Sequence, residues 1–325
     1  MAGIYVLHEN SVWVEPLRAA LGEMGLAHEE WFLDAGSLDL TDTPPEGVFY
    51  NRMSASSHSR GHRFAPEYTA TVLAWLESHG RRVVNDTRAL RLEISKVAQY
   101  AALSRSGVRT PRTVAVAAGE GGITLAERAA AAAAAAFPGE PVIVKPNRGG
   151  KGLGVQLLDG PEAVRNHVAA GGGESLDGVT LLQEYVPSPD RTIVRCEFVG
   201  GEFLYAVRVD ASGGFELCPA DACAIDSGTS TRPQFEILPG FDHPNLGRYR
   251  SFLKANGIGI AGVEMTLGAR DESWTYDVNT NTNYNAEAEA AVGYTGTDKA
   301  GMRAIARFLG AEAGALTPRR AAAAA

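Results

Sequence analysis

PVIVKPNRGGKGLGV, residues 141–155, is the stretch on which the reading of this chain turns. Pro141, Val142, Ile143 and Val144 run into Lys145-Pro146, and a glycine cluster follows, Gly149, Gly150, Gly152 and Gly154, carrying Arg148 and Lys151. The apolar run predicts a buried strand, and the cluster predicts a loop that cradles a polyphosphate. Glycine admits positive φ and lets the backbone approach an anion closely, so successive N–H groups can point at phosphate oxygens. A lysine at the end of a buried strand sets a fixed cation beside those oxygens. A glycine-rich hairpin with a solvated Arg-Lys pair has the same pattern, and the rest of the chain decides between the two. The loop is of neither common kind: G-x-x-x-x-G-K-[ST] is absent, and no G-x-G-x-x-G opens a helix after the first strand.

A chain of 325 residues can bury a sizeable core and divide into two or three domains or lobes. Its 45% hydrophobic and 21% charged fractions are those of a soluble globular protein. A net charge of -8 with no basic stripe argues against a nucleic-acid surface. Cys196, Cys218 and Cys223 are odd in number and lack C-x-x-C spacing, which suits a reduced compartment and argues against a disulfide framework or a zinc site. The first residues hold no signal-type apolar run, and the alanine tract 129–136 reads as a helix too short and too weakly apolar to span a bilayer. A cytoplasmic protein without membrane contact is expected.

In chain order, residues 3–8 read as a strand and 12–24 as an amphipathic helix. Strands follow near 28–33 and 47–50, the order of a small parallel α/β unit. The loop 51–63 then lies at the carboxyl end of a strand, where open α/β sheets bind ligands. Arg52, Arg60 and Arg63 are candidates there for a substrate carboxylate, against a merely solvated loop. His58 and His62 have i, i+4 spacing, but Gly61 and the serines argue against a helical metal site. A helix is expected over 67–79, a strand over 82–85, and one capped helix from Asp86 or Thr87 through Leu103 that contains Lys96. After a helix over 124–136 come the opening strand, a return strand at 155–158, a helix at 161–170 and a strand at 179–186. A hairpin turns at Gly200-Gly201 within 192–209. A helix over 240–257, strands over 258–267 and 274–279, and a closing helix over 298–309 complete the pattern.

The densest chemistry lies in GVEMTLGARDESWTYDVNTNTNYN, residues 262–285. Glu264 sits on one strand, and Asp277 and Asn279, two apart on the next, share one face. Three hard oxygen ligands on neighbouring strands suit Mg²⁺, whereas a solvent-facing polar sheet is the plain alternative. Asp and Asn are poor strand formers, and such a local conflict often marks a functional position. Cys196 beside Arg195 is either an activated thiol or, as its strand setting favours, a buried one.

Together these motifs resemble the ATP-grasp superfamily, and within it the RimK-like carboxylate-amine ligases, over residues 85–309. The resemblance implies an α/β (α+β) fold in which two α+β lobes grip ATP behind a small parallel α/β domain. The implied divisions are 1–90, a central lobe 91–186, a C-terminal lobe 187–312, and a disordered tail 313–325. It implies that Lys96 and Lys145 meet the phosphates and that Gly149, Gly150, Lys151, Gly152, Leu153 and Gly154 form a mobile lid over them. The Q-E-Y-[IV] hinge matches Gln183, Glu184, Tyr185 and Val186, with Gln183 or Glu184 and the backbone near Val186 on adenine and Tyr276 against its ring. Arg195 and Arg208 match the family's acyl-phosphate arginines, and Glu264, Asp277 and Asn279 its ligands for two Mg²⁺ ions, with Mn²⁺ a substitute.

Departures are informative. Ile193 stands where an Asp is common, which either removes a ribose contact or moves it to Asp190. Glu264 and Asp277 stand in the reverse of the commoner Asp, Glu order. Cys218-Pro219-Ala220-Asp221 replaces an N-x-x-x-G-G segment, and TNTNYN replaces a Pro-Gly turn, bringing Asn281 and Asn283 to the acceptor side. The implied reaction is ATP-dependent amide formation through an acyl phosphate on an amino acid or small peptide, and a homo-oligomer is compatible with the resemblance. The alternatives are an ATP-grasp kinase for a small molecule and a nucleotide-binding protein with decayed catalysis.

Overall fold

The computed structural model describes residues 2–119, 122–211, 233–268 and 272–316, and places three sheets in succession along the chain. The first is the parallel unit that the alternating strand and helix pattern predicts. It comprises β1 (Gly3–His8), α1 (Ser11–Glu23), β2 (His28–Phe32), β3 (Gly47–Asn51), α2 (Ala65–Ser78) and β4 (Arg82–Val84), in strand order β2-β1-β3-β4. Asn10 caps α1 by accepting from the Trp13 N–H. Val14, Leu17, Ala20 and Leu21 form the stripe that buries α1 against Ile4 and Val48.

Where one helix was expected through Leu103 there are two, α3 (Thr87–Glu93) and α4 (Lys96–Arg105). The break has a local and a distant cause. Ser95 accepts from the Ala98 N–H and caps α4. Asn147, at the base of the glycine loop, takes the next two free donors, its carbonyl from Lys96 N and its Oδ1 from Val97 N. Lys96 is therefore the first residue of a helix and not a mid-helix lysine.

The second sheet is antiparallel, order β5-β8-β6-β7, from β5 (Thr113–Ala117), β6 (Pro141–Pro146), β7 (Gln156–Asp159) and β8 (Val179–Glu184). It is covered by α5 (Leu125–Ala136), opened by a Thr124/Glu127 capping box, and α6 (Gly160–Ala169). The third is also antiparallel, order β11-β10-β9-β12-β13, from β9 (Thr192–Val199), β10 (Glu202–Asp210), β11 (Phe235–Leu238), β12 (Ile260–Leu267) and β13 (Ser273–Asn279). α7 (Asn245–Ala255) packs Tyr249, Phe252 and Leu253 on one of its faces, and begins only after Pro244, later than residue 240.

A short α8 (Ala286–Ala291) and β11 lacked a sequence signal. The last helix, α9 (Gly301–Leu316), runs past residue 312 and returns to the first sheet, where Ile305, Ala306, Leu309 and Ala313 join the cluster of Ile4, Val6 and Val48. A parallel sheet needs both faces covered: α1 and α9 share the face of Ile4, Val6 and Val48, and α2 covers the other, packing Val72, Leu73 and Leu76 with Leu7, Phe49 and Val83. Asn85, with φ +60°, stitches the first sheet to the third: its Oδ1 accepts from Gly259 N and Ile260 N, and its Nδ2 donates to the Ile260 and Thr280 carbonyls. Asn is among the few residues that tolerate that backbone region. The expected tail beyond residue 316, Cys218, Cys223 and the segment 218–221 lie outside the described residues.

Candidate active site

A cleft of about 400 Å³ is lined from all three sheets. Lys145 enters from the end of β6, 5% exposed. Its ammonium donates to Gln183 Oε1 and to the Tyr100 hydroxyl, each at 2.7 Å. Tyr100 in turn donates to the Tyr276 carbonyl at 2.8 Å, tying β6 to β13 through α4. Gln183 also donates to Thr113 Oγ1 at 2.8 Å, so its side chain is fixed from both ends and positions Lys145. All four hinge residues, Gln183, Glu184, Tyr185 and Val186, line the cleft, beside Ile143, Leu157 and Pro111. Glu184 keeps one oxygen on Arg112 N.

Lys96 projects from the start of α4 and donates to Asp277 Oδ1 at 2.7 Å. Burial works against its charge, but Asp277, Tyr100 and Glu93 together outweigh burial and hold the ammonium above its ordinary range. Across the β12–β13 pair, Glu264 stands opposite Asp277, and Asn279 Nδ2 reaches Glu264 Oε1 at 3.2 Å. Arg195 of β9 completes the group. It donates to Glu197 at 2.6 Å, Glu264 at 2.7 Å and Thr282 Oγ1 at 2.7 Å, with its guanidinium packed where a Cβ on residue 262 would sit. Gly262 is therefore a requirement of the arginine.

The three oxygen-bearing residues fit a divalent cation. Burial pushes the Glu264 carboxyl up; Arg195 pulls it down, and the Asp277 charge pushes it up again. A positive ion between the two carboxylates relieves that repulsion, and oxygen donors are those Mg²⁺ takes. Glu93, half-buried at the cleft wall, has its carboxyl raised by desolvation and by Asp277 as well, while accepting from Thr280 N and Oγ1 and from Ala55 N.

The glycine loop lies over the cleft and against the first sheet's loops. Lys151, Gly152 and Gly154 have φ of +60°, +74° and +72°. A Cβ on Gly150 would stand 3.4 Å from the Ser56 side chain, and Lys151 Nζ lies 4.7 Å from the centre of the Trp13 ring. Arg148 pairs with Glu67 of α2. Gly149, Gly150, Lys151, Gly152 and Leu153 all line the cleft.

Several expected positions are elsewhere. Arg208 is outside the cleft: Val207 is the register partner of Arg195, so the next residue projects from the opposite face, where Arg208 pairs with Glu236. Asp190 does not line the cleft but staples its own turn through Ser188 and Thr192, which hold its carboxyl below the usual range against the effect of burial. Arg60 is paired with the buried Glu9, which also bonds His62. His58 contacts the Ala55 carbonyl, and no cluster of three His, Cys, Asp or Glu suited to a metal exists among the described residues. Arg63 is exposed over Phe64. Arg52 is buried, whereas Asn281 and Asn283 do line the cleft. Cys196 is fully buried, its thiol pushed up by burial and then by Glu197. Tyr100, Asn147, Glu93 and Glu197 carried no sequence signal, because each acts only through partners distant in the chain.

No family model matches the chain. Over 147 residues it is 28% identical to a probable alpha-L-glutamate ligase of Pseudoalteromonas atlantica, covering 45% of this chain and 46% of that one. It is 25% identical over 214 residues to the ribosomal protein bS6–L-glutamate ligase of Shigella flexneri, covering 62% and 68%. The chain spans about half the length of the first curated relatives it matches. Among solved structures it is similar to a RimK-domain ATP-grasp protein of Sphaerobacter thermophilus, with TM-score 0.64, 21% identity, and 94% and 99% of the two chains covered. It is similar also to the D-cycloserine synthetase DcsG, with TM-score 0.61, 20% identity, and 97% and 100% covered. No helix among the described residues is long and apolar enough to cross a membrane. The two α+β units behind a parallel sheet are the ATP-grasp fold, and the chain's sequence likeness runs to RimK-type L-glutamate ligases.

Proposed function

We propose that this protein is an ATP-dependent ligase that joins a carboxylate to an amine, releasing ADP and phosphate. The observation that carries the reading is the convergence of Lys96, Lys145 and Arg195 with Glu264, Asp277 and Asn279 in one cleft under a glycine-rich loop. A carboxylate oxygen attacks the γ-phosphorus of ATP and ADP leaves. The amine then adds to the acyl phosphate carbon, and the tetrahedral intermediate expels phosphate. Catalysis here is positioning and charge neutralisation. Lys145, fixed by Tyr100 and Gln183, and Lys96 neutralise phosphate oxygens, and Arg195 faces the acyl phosphate and its oxyanion. The backbone of residues 149–154 covers the phosphates and keeps water from the acyl phosphate. Glu264, Asp277 and Asn279 would hold Mg²⁺, which when bound neutralises phosphate charge.

An amino acid or peptide substrate fits the relatives named as L-glutamate ligases and the ATP-grasp ligase PsnB, solved with its precursor peptide PsnA2. The test is incubation with ATP, MgCl₂ and pairs drawn from amino acids and short peptides. ADP and phosphate released in equal amounts with a product of the summed mass less water is the expected result. A phosphorylated substrate with no free phosphate would overturn the reading.

A further inference from the structure

Arg52 is 1% exposed, yet no carboxylate pairs with it among the described residues. Its guanidinium meets neutral acceptors: Asn281 Oδ1 at 3.2 Å, the Thr282 carbonyl at 3.2 Å, Asn283 Oδ1 at 2.8 Å, and Met302 Sδ at 3.8 Å. A guanidinium has five N–H donors and no acceptor. Both asparagines must therefore turn Oδ1 toward Arg52 and Nδ2 away from it, which settles an amide orientation that is otherwise ambiguous. Both line the cleft, and neither Nδ2 has a hydrogen-bond partner among the described residues. Arg195 stands next to them, bonded to Thr282 between the two. The other arginines of the loop after β3 are committed to Glu9 or exposed.

We infer that the Asn281 and Asn283 amides seat a carboxylate of the substrate, with Arg52 as the positioning residue behind them. The inference rests on the ligase reading and assigns the acid its place. A buried cation without a counter-charge favours a nearby anion. The cation is sealed off, so it acts by polarising and orienting two amides that do reach the cleft, giving two N–H donors backed by a positive field. The ligand class is an acid whose carboxylate enters the cleft beside Arg195; the corresponding carboxamide, which brings its own N–H donors, is rejected.

The test reads binding first, without turnover, and then initial rates. The full chain, saturated with AMP-PNP and MgCl₂, is titrated calorimetrically with the L-amino acids, their N-acetyl derivatives and alanine-containing dipeptides, each beside its carboxamide. At least one acid should bind with an affinity about tenfold or more above its amide, the worth of a charge-assisted hydrogen bond. Asn283→Asp places an acceptor where the donor was. It should lower the affinity for that acid about tenfold to a hundredfold, while AMP-PNP affinity stays within about threefold and the melting temperature holds or rises, because the new carboxylate pairs with Arg52. Arg52→Lys, which keeps the charge but cannot span both amides, should raise KM for the acid and leave kcat within about threefold. Acid and amide binding alike, no acid binding at all, or an Asn283→Asp variant that loses stability and keeps its acid affinity would each overturn the assignment. Loss of AMP-PNP binding by the unaltered chain would instead sink the ligase reading.

Discussion

The Lys96 ammonium and the Asp277 carboxylate, 181 positions apart, meet at 2.7 Å, so the start of α4 is pinned to β13 of the third sheet. Both side chains are largely buried. Lys96→Met and Asp277→Leu should each destabilise the fold, and the double substitution should cost less than their sum, with a coupling of about 1–3 kcal/mol. Urea unfolding of the four proteins measures it; strict additivity would show that the pair does not hold α4 to β13.

Arg195 and Arg208 were equal candidates in the sequence and are unequal in the fold. Arg195→Lys keeps a charge but cannot serve Glu197, Glu264 and Thr282 together. Its ADP release should fall by about 100-fold, a loss typical of a misplaced charge-stabilising group. Arg208→Ala removes a half-exposed pair worth about 0–1 kcal/mol, and its ADP release should stay within about twofold of the parent. Equal loss in both would return Arg208 to the site.

Lys145 owes its position to Gln183. Replacing Gln183 with Leu deletes one of the ammonium's two acceptors, and a hydrogen bond to a charged group is worth about 1.5–3 kcal/mol. KM for ATP should rise about tenfold or more in initial-rate assays, whereas Glu184→Gln should move it far less. An unchanged KM in Gln183→Leu would mean that Tyr100 alone suffices.

Gly152 has φ +74° and lies outside the apolar clusters. Gly152→Val forces a β-branched residue into the left-handed region at about 1–2 kcal/mol. The strain falls on a loop, so the melting temperature should shift by only a few degrees. On the proposed reading the loop backbone covers the phosphates, so ATP turnover should drop more than about tenfold. A variant that melts much earlier and turns over normally would make the loop structural.

Periodicity and turn chemistry act between residues a few positions apart, and whatever depends on them was legible from the letters alone. The parallel order of residues 3–84, the strand at 141–146 that ends in Lys145, the Gly200-Gly201 hairpin and the placing of Glu264, Asp277 and Asn279 on adjoining strands all belong to that class. What needed a distant partner was hidden. The break between α3 and α4 depends on Asn147, the commitment of Gln183 on Lys145, and the burial of Arg52 on a loop some 230 positions away. The face that Arg208 occupies follows from the register of β9 on β10. The sequence by itself therefore determined which residues were candidates and which elements carry them. Only the tertiary structure decided which of them reach the cleft, because burial, ion pairing and strand register are set by packing between segments that no local pattern connects.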